Sequence, residues 1–135
     1  STICRDYSPT KLANGTIYVP YEYNENGVSG NRYNIHCYGT QNSDRDDLFN
    51  FECYSHNERG EKSDFHLDVY FLATDYDNYG LVYRCATIGE YTEDNVFIIY
   101  RRKYPSDDDV KKILTPYGLT IDKFISRQNA TCTNK

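Results

Sequence analysis

The sequence predicts an all-β fold, an antiparallel up-and-down β-barrel with one C-terminal α-helix packed outside it. Aromatic residues make up 16% of the chain, with 15 Tyr and 6 Phe, and such side chains favour strands over helices. Segments rich in these residues recur at intervals of about a dozen residues, with polar turns between them. A barrel lets such a meander end without exposed edges, so we expect residues 1–135 to form a single barrel domain.

Six strands are predicted, each bounded by turn-forming residues. They are Thr16–Tyr23, Tyr33–Thr40, Leu48–Ser55, Phe65–Thr74, Tyr79–Ala86 and Asn95–Arg101. The clearest alternation of apolar with mixed positions lies in the fourth of these strands. Because successive side chains in a strand point to opposite faces, we expect its odd positions to face inward: Phe65, Leu67, Val69 and Phe71.

One helix is predicted, over Ser106–Tyr117. Ser106 is a suitable N-cap, and Asp107–Asp109 place negative charge on the first turn, where the helix dipole favours it. Pro116 is expected to end the helix. The apolar face that would pack against the barrel consists of Val110, Ile113 and Leu114.

Composition and charge exclude several classes of protein. The net charge is −5 and no basic stripe is present, so nucleic acid is not an expected partner. No apolar run approaches the roughly 20 residues that a membrane-spanning helix needs. Five cysteines without a CxxC spacing indicate an oxidising compartment, and two N-glycosylation sequons, at Asn14 and Asn129, agree with this. We therefore expect a secreted protein.

One segment is specific to a family. Residues Phe71–Cys85, which contain Thr74-Asp75-Tyr76-Asp77-Asn78-Tyr79, resemble the TDYxxY turn between two late strands of lipocalins such as retinol-binding protein, insecticyanins and crustacyanins. Val96–Arg101 resembles the last long strand of that family, and Leu119–Cys132 its closing strand and terminal cysteine. In physical terms, Asp75 and Asn78 can bond backbone N–H groups in this turn, while Tyr76 and Tyr79 can cover the barrel end.

The resemblance also implies a missing element. Lipocalins begin with a Gly-x-Trp motif whose Trp packs under the basic residue equivalent to Arg101, and this chain has no Trp. Cys4 matches the cysteine at the start of the family's second strand, which implies that the first strand is absent. Because an open edge is unfavourable in a soluble protein, we expect a cleaved N-terminal peptide, a second chain or a partner's strand to fill the gap.

The cysteines predict a disulfide framework. Cys37 and Cys53 lie on consecutive predicted strands, symmetric about Arg45, so they can lie opposite one another and bond if the geometry allows. The resemblance implies a Cys4–Cys132 pair and a partner for Cys85 near the N-terminus. Since that partner is absent, we expect Cys85 to bond a second chain or the missing peptide, with a free thiol as the alternative.

The barrel interior is the predicted binding site. Alternation and the resemblance place Leu67, Val69, Phe71, Gly80, Val82, Phe97 and Ile99 on its lining. Arg84 either points inward, where it can pair with a carboxylate or propionate, or reaches solvent. On the first predicted strand either residue set can face in, and we favour the set formed by Ile17, Val19 and Tyr21.

Catalysis has little support in the sequence. His36, His56 and His66 are far apart in sequence and lack the spacing of a metal-binding motif. No GxSxG, P-loop or HExxH motif is present. We therefore expect no catalytic residues, no metal site and no required cofactor.

The predicted function is a carrier of a small, mainly apolar ligand such as a tetrapyrrole pigment, retinoid or fatty acid. One alternative is an interaction protein, such as a salivary inhibitor, that acts through surface loops. The other is a storage protein whose barrel is filled by its own Tyr and Phe side chains. Exposed aromatic residues in the loops would favour the interaction protein.

Overall fold

Seven antiparallel strands follow one another in chain order across a single sheet, in a computed structural model that describes residues 5–24, 32–102 and 105–124. The strands are β1 (Thr10–Lys11), β2 (Ile17–Asn24), β3 (Arg32–Gln41), β4 (Leu48–Asn57), β5 (Lys62–Thr74), β6 (Tyr79–Ile88) and β7 (Tyr91–Tyr100). The helix α1 spans Asp107–Leu114, and two short 3₁₀ helices follow at Thr115–Tyr117 and Ile121–Lys123. The predicted up-and-down architecture with one C-terminal helix is confirmed.

Several strands are longer than predicted. β7 begins at Tyr91 rather than Asn95, because Gly89 and Glu90 alone form the turn and Ile88 pairs directly with Tyr91. The first residues of β7, Tyr91–Asp94, are exposed and mostly polar, so they lack the apolar pattern that predicts a strand. β4 continues through His56 to Asn57, and β5 begins at Lys62 instead of Phe65. The short exposed strand β1 was not predicted.

The helix forms as its sequence predicts. The Ser106 hydroxyl accepts a hydrogen bond from the Asp109 backbone N–H, and Ile113 and Leu114 are buried. They pack with Leu81 of β6, which points to the face of the sheet opposite the predicted lining residues Gly80 and Val82. We call this the outer face, and the helix therefore lies outside the barrel as expected. The α-helix ends at Leu114, and Pro116 lies in the 3₁₀ turn that follows.

The turn between β5 and β6 is organised by Asp75. Its Oδ1 accepts hydrogen bonds from the backbone N–H groups of Asp77, Asn78 and Tyr79, at 3.1, 2.7 and 3.1 Å. The Asn78 backbone bond contributes most to lowering the Asp75 pKa, which falls to about 2. The predicted role of Asp75 is confirmed.

One expectation about this end of the barrel is wrong. Tyr76 does not cover the barrel end, because its side chain is 85% exposed, and its backbone adopts a positive φ of 65°. Arg101 lies at the same end. Its guanidinium donates to the Asp77 carbonyl and its backbone N–H donates to Asn78, so it ties the end of β7 to the turn.

Leu114→Ala tests the packing of the helix on the sheet. We expect the free energy of unfolding to fall by about 2–5 kcal/mol, because Leu114 is fully buried and the substitution leaves a cavity. The control is Leu72→Ala, at a 43% exposed position in the β5 irregularity, which should change stability by about 0.5 kcal/mol or less. Equal losses in urea unfolding would contradict the packing described.

Asp75→Asn tests the turn through its pH dependence. Because the folded-state pKa of Asp75 is depressed to about 2, its ionised form stabilises the fold above the unfolded pKa of about 3.9. That stabilisation is lost as the pH falls through about 2. We expect the variant to show a shallower loss of stability between these pH values than the wild type. Asp77→Asn is the control. Asp77 contributes to the turn through its backbone, whose N–H donates to Asp75 and whose carbonyl accepts from Arg101.

Candidate functional site

One face of the sheet, here called the inner face, carries all of the predicted lining positions. Residues that pair across antiparallel strands share a face, and the ladder pairs Val69 with Arg84, Phe71 with Val82, and Val82 with Phe97. At the other end of the sheet, and on the same face, Val19 pairs with Cys37. The ten predicted ligand-binding residues that lie on this face are Ile17, Val19, Tyr21, Leu67, Val69, Phe71, Val82, Arg84, Phe97 and Ile99.

Burial divides the inner face into two parts. Tyr21, Leu67 and Val82 are buried, and the first two belong to a cluster with Ile35 and Phe51. The other seven predicted positions are only partly buried. Phe97 and Ile99, on the last strand, belong to this second group. The buried part therefore serves as core, and Ile17, Val19 and Val69 of the partly buried part pack against its edge.

Tyr7 connects the two ends of the sheet. Its ring centroid lies 5.1 Å from that of Tyr21 on β2 and 6.4 Å from that of Phe97 on β7. The sheet is therefore curved, with its inner face on the concave side. In the described part of the chain no ladder joins β1 or β2 to β7. Sequence reasoning missed Tyr7, because nothing in the local pattern distinguishes it from the other tyrosines.

A disulfide fixes the middle of the inner face. Cys37 and Cys53 are ladder partners on β3 and β4, both buried, and their sulfur atoms are bonded. This predicted bond is confirmed. Two ladder pairs further along, on the same face, the Phe51 ring covers Gly39, where an added Cβ would collide with the ring. Gly39 is thus required for Phe51 to pack across the face.

Arg84 is a cation on an otherwise mainly apolar surface. It is partly buried, and its Nη1 donates to Asn95 Oδ1 at 3.3 Å on the neighbouring strand. None of the ion pairs that the described residues form includes Arg84. The ladder pairs Arg84 with Val69 and Asn95, which places it on the inner face, while the pairing of its guanidinium with a ligand stays a prediction.

The outer face brings together histidines that the sequence separates. His36 and His56 lie on adjacent strands with their Nε2 atoms 3.2 Å apart, and the Tyr18 hydroxyl lies 2.6 Å from His36 Nδ1. Burial, followed by the charge of His56, lowers the pKa of His36. The sequence spacing did not predict this contact, which forms because β4 extends far enough to carry His56.

His66 occupies a different environment on the same face. Its two ring nitrogens lie 2.5 Å from Glu52 and 2.7 Å from Asp68. Burial alone would lower its pKa, but the hydrogen bonds to the two carboxylates outweigh burial and the pKa is raised. In residues 5–24, 32–102 and 105–124, no three His, Cys, Asp or Glu side chains converge as a metal site.

The remaining predicted residues have mixed outcomes. Cys85 is a partly buried free thiol on the outer face, and the predicted link to a second chain or peptide gains no support from this position. Asn14 is exposed, in a turn where its side-chain oxygen accepts the Thr16 N–H. Cys4, Cys132 and Asn129 lie outside the described residues. None of the described helices has the length and apolar character needed to cross a membrane.

A family model with the description Triabin matches residues 1–114. The chain belongs to the Triabin family. This membership supports the lipocalin resemblance at the level of the family, whereas the likeness to insecticyanins and crustacyanins stays a prediction. No solved structure gives a significant match.

Three similar proteins show how far the likeness extends. Pallidipin of Meccus pallidipennis is 29% identical over 134 residues, which cover 98% of this chain and 71% of pallidipin. Triafestin-2 of Triatoma infestans is 27% identical over 135 residues, covering 96% of this chain and 65% of that protein. Apolipoprotein D of Cavia porcellus is 40% identical over 65 residues, which are 45% of this chain and 34% of that protein. The chain thus spans about two thirds of the length of pallidipin and triafestin-2.

The double variant Cys37→Ala, Cys53→Ala tests the disulfide on the inner face. We expect a loss of about 3 kcal/mol in the free energy of unfolding, because the bond closes a loop with a sequence separation of 16. Cys85→Ala is the matched control and should cost clearly less in urea unfolding. A double variant as stable as the control would contradict a bonded pair.

Proposed function

We propose that this protein is a secreted, non-enzymatic carrier that holds a small, mainly apolar ligand against the inner face. The observation that carries the proposal is the apolar part of that face where Val69, Phe71, Phe97 and Ile99 are only partly buried beside a buried core. Apolar side chains with one well-placed polar group are typical of small-molecule sites. Membership of the Triabin family supports the same function.

Arg84 supplies the polar group of the proposed site. A ligand with an apolar body and a carboxylate would pair its charge with the guanidinium and lay its body over Val69 and Phe97, the partly buried neighbours of Arg84 on the same face. This arrangement favours a fatty acid, or a tetrapyrrole through its propionates, over an uncharged molecule. The Cys37–Cys53 bond supports secretion, because disulfides persist in oxidising compartments.

Arg84→Met tests the proposed site. The probe is cis-parinaric acid, a fluorescent fatty acid, compared with its methyl ester. We expect the wild type to bind the acid, and the variant to bind it about tenfold more weakly or worse, since a hydrogen bond to a charged group is lost. Binding of the ester should change little.

Arg102→Met is the matched control for this experiment. Arg102 is exposed and pairs with Asp109 outside the inner face, so its loss should leave the affinity for the acid unchanged. Absence of binding by the wild type to both probes would contradict the carrier function. Visible absorbance of the protein purified from its source would separate a pigment from colourless cargo.

A second candidate function is an interaction protein that binds a partner through its turns. Two tyrosines at turns favour it: Tyr76 is 85% exposed in the β5–β6 turn, and Tyr91 is 62% exposed beside Ile88 in the β6–β7 turn. Exposed aromatic side chains often dominate binding energy at interfaces. This function predicts that Tyr76→Ser or Tyr91→Ser abolishes binding of the partner while fatty-acid binding stays intact.

A further inference from the structure

Two imidazole rings face each other on the outer face, away from the proposed ligand site. His36 pairs with Tyr54 across the β3–β4 ladder and His56 pairs with Asn34, so the two histidines are diagonal neighbours. Their ring planes differ by 11° and their centroids are 5.3 Å apart, with the two Nε2 atoms at 3.2 Å. At this distance the two nitrogens share one hydrogen in an N–H···N bond.

The same separation suits two ligands of one metal ion. Two imidazole nitrogens at the usual zinc–nitrogen distance of about 2.0–2.1 Å and a tetrahedral angle lie roughly 3.3 Å apart. We propose that His36 and His56 bind a divalent transition-metal ion through their Nε2 atoms, in place of the hydrogen that they share. Imidazole ligands suit Cu²⁺ and Zn²⁺, and Cu²⁺ binds most tightly in the divalent series.

Tyr18 positions the first of the two ligands. Its hydroxyl lies 2.6 Å from His36 Nδ1, and metal-binding histidines are typically held through their other ring nitrogen in this way. When the metal binds, each ring uses its Nε2 lone pair and carries its hydrogen on Nδ1. Both rings then remain neutral, and His36 Nδ1–H donates to the Tyr18 oxygen. Tyr18 is therefore a positioning residue for the metal.

Space for further ligands lies beside His36. A cavity of about 260 Å³ borders His36 and Asn34 and has room for water ligands, which a two-histidine site needs. The carboxyl-bearing residues Asp6 and Glu22 line the same cavity, and acidic groups favour a bound cation, although Arg32 pairs with Glu22 and offsets its charge. Lys62 also opposes a bound cation, because Lys62 pairs with His56 in the β4–β5 ladder and places its ammonium over the Tyr54 ring.

The experiment titrates the full-length chain with Cu²⁺, and with Zn²⁺ in parallel, by isothermal calorimetry. Electron paramagnetic resonance of the Cu²⁺ sample reports the nitrogen ligands. We expect one ion per chain with two nitrogen ligands. His36→Asn and His56→Asn should each weaken binding at least tenfold, and Tyr18→Phe by about tenfold.

His66→Asn is the matched control, since His66 lies on the same face but bonds Glu52 and Asp68. It should bind Cu²⁺ as the wild type does. Lys62→Gln should bind Cu²⁺ more tightly, because it removes a nearby positive charge. Far-ultraviolet circular dichroism and urea unfolding show that each variant is folded, whether or not the chain binds a fatty acid.

Three results would overturn the proposal: no binding by the wild type, unchanged binding in both His36→Asn and His56→Asn, or loss of binding in His66→Asn. Each is distinguishable from failure of the carrier function. The metal site and the inner face lie on opposite sides of the sheet, so fatty-acid binding is read separately.

Discussion

The register of the β5–β6 hairpin depends on the carboxylate of Asp75. One of its oxygens accepts hydrogen bonds from three backbone N–H groups and so holds the hairpin at one alignment, where Phe71 faces Val82. A slip of one residue would send every side chain of a strand to the opposite face. The apolar lining on β5 and β6 and the packing of the helix on Leu81 both require this alignment. Arg101 reinforces it by joining β7 to the same turn.

The two faces of the sheet have different chemistry. The inner face is apolar except for a few groups such as Arg84, whereas the outer face is divided. Near β6 and β7 the outer face is covered by α1 through Leu81 and Leu114, and across β2–β5 it carries tyrosines, histidines and carboxylates. A single sheet can therefore hold an apolar ligand on one side and polar chemistry on the other, because alternate side chains leave a strand in opposite directions.

Features that depend on local chemistry were predictable from the sequence, and features that depend on cross-strand neighbours were less so. The Ser106 cap, the Asp75 turn and the inward set of β5 each follow from residues close in the chain. To predict the contact between His36 and His56, one needs the register of β3 against β4 and the residue at which β4 ends. The polar residues at that end make it resemble a loop. Tyr7 contacts Tyr21 and Phe97 only because the sheet is curved, so no periodicity in the sequence predicts these contacts.

The position of Tyr7 bears on how a molecule reaches the inner face. Tyr7 contacts both ends of the sheet through its ring, and the described residues have no ladder of hydrogen bonds at that seam. Among the described residues the seam is closed by side-chain packing, which opens by rotation of a ring and without separation of paired strands. Rotation of a side chain is a far faster event than local unfolding of a sheet. If the inner face binds a ligand as proposed, a ligand that enters at this seam would exchange without unfolding of the sheet.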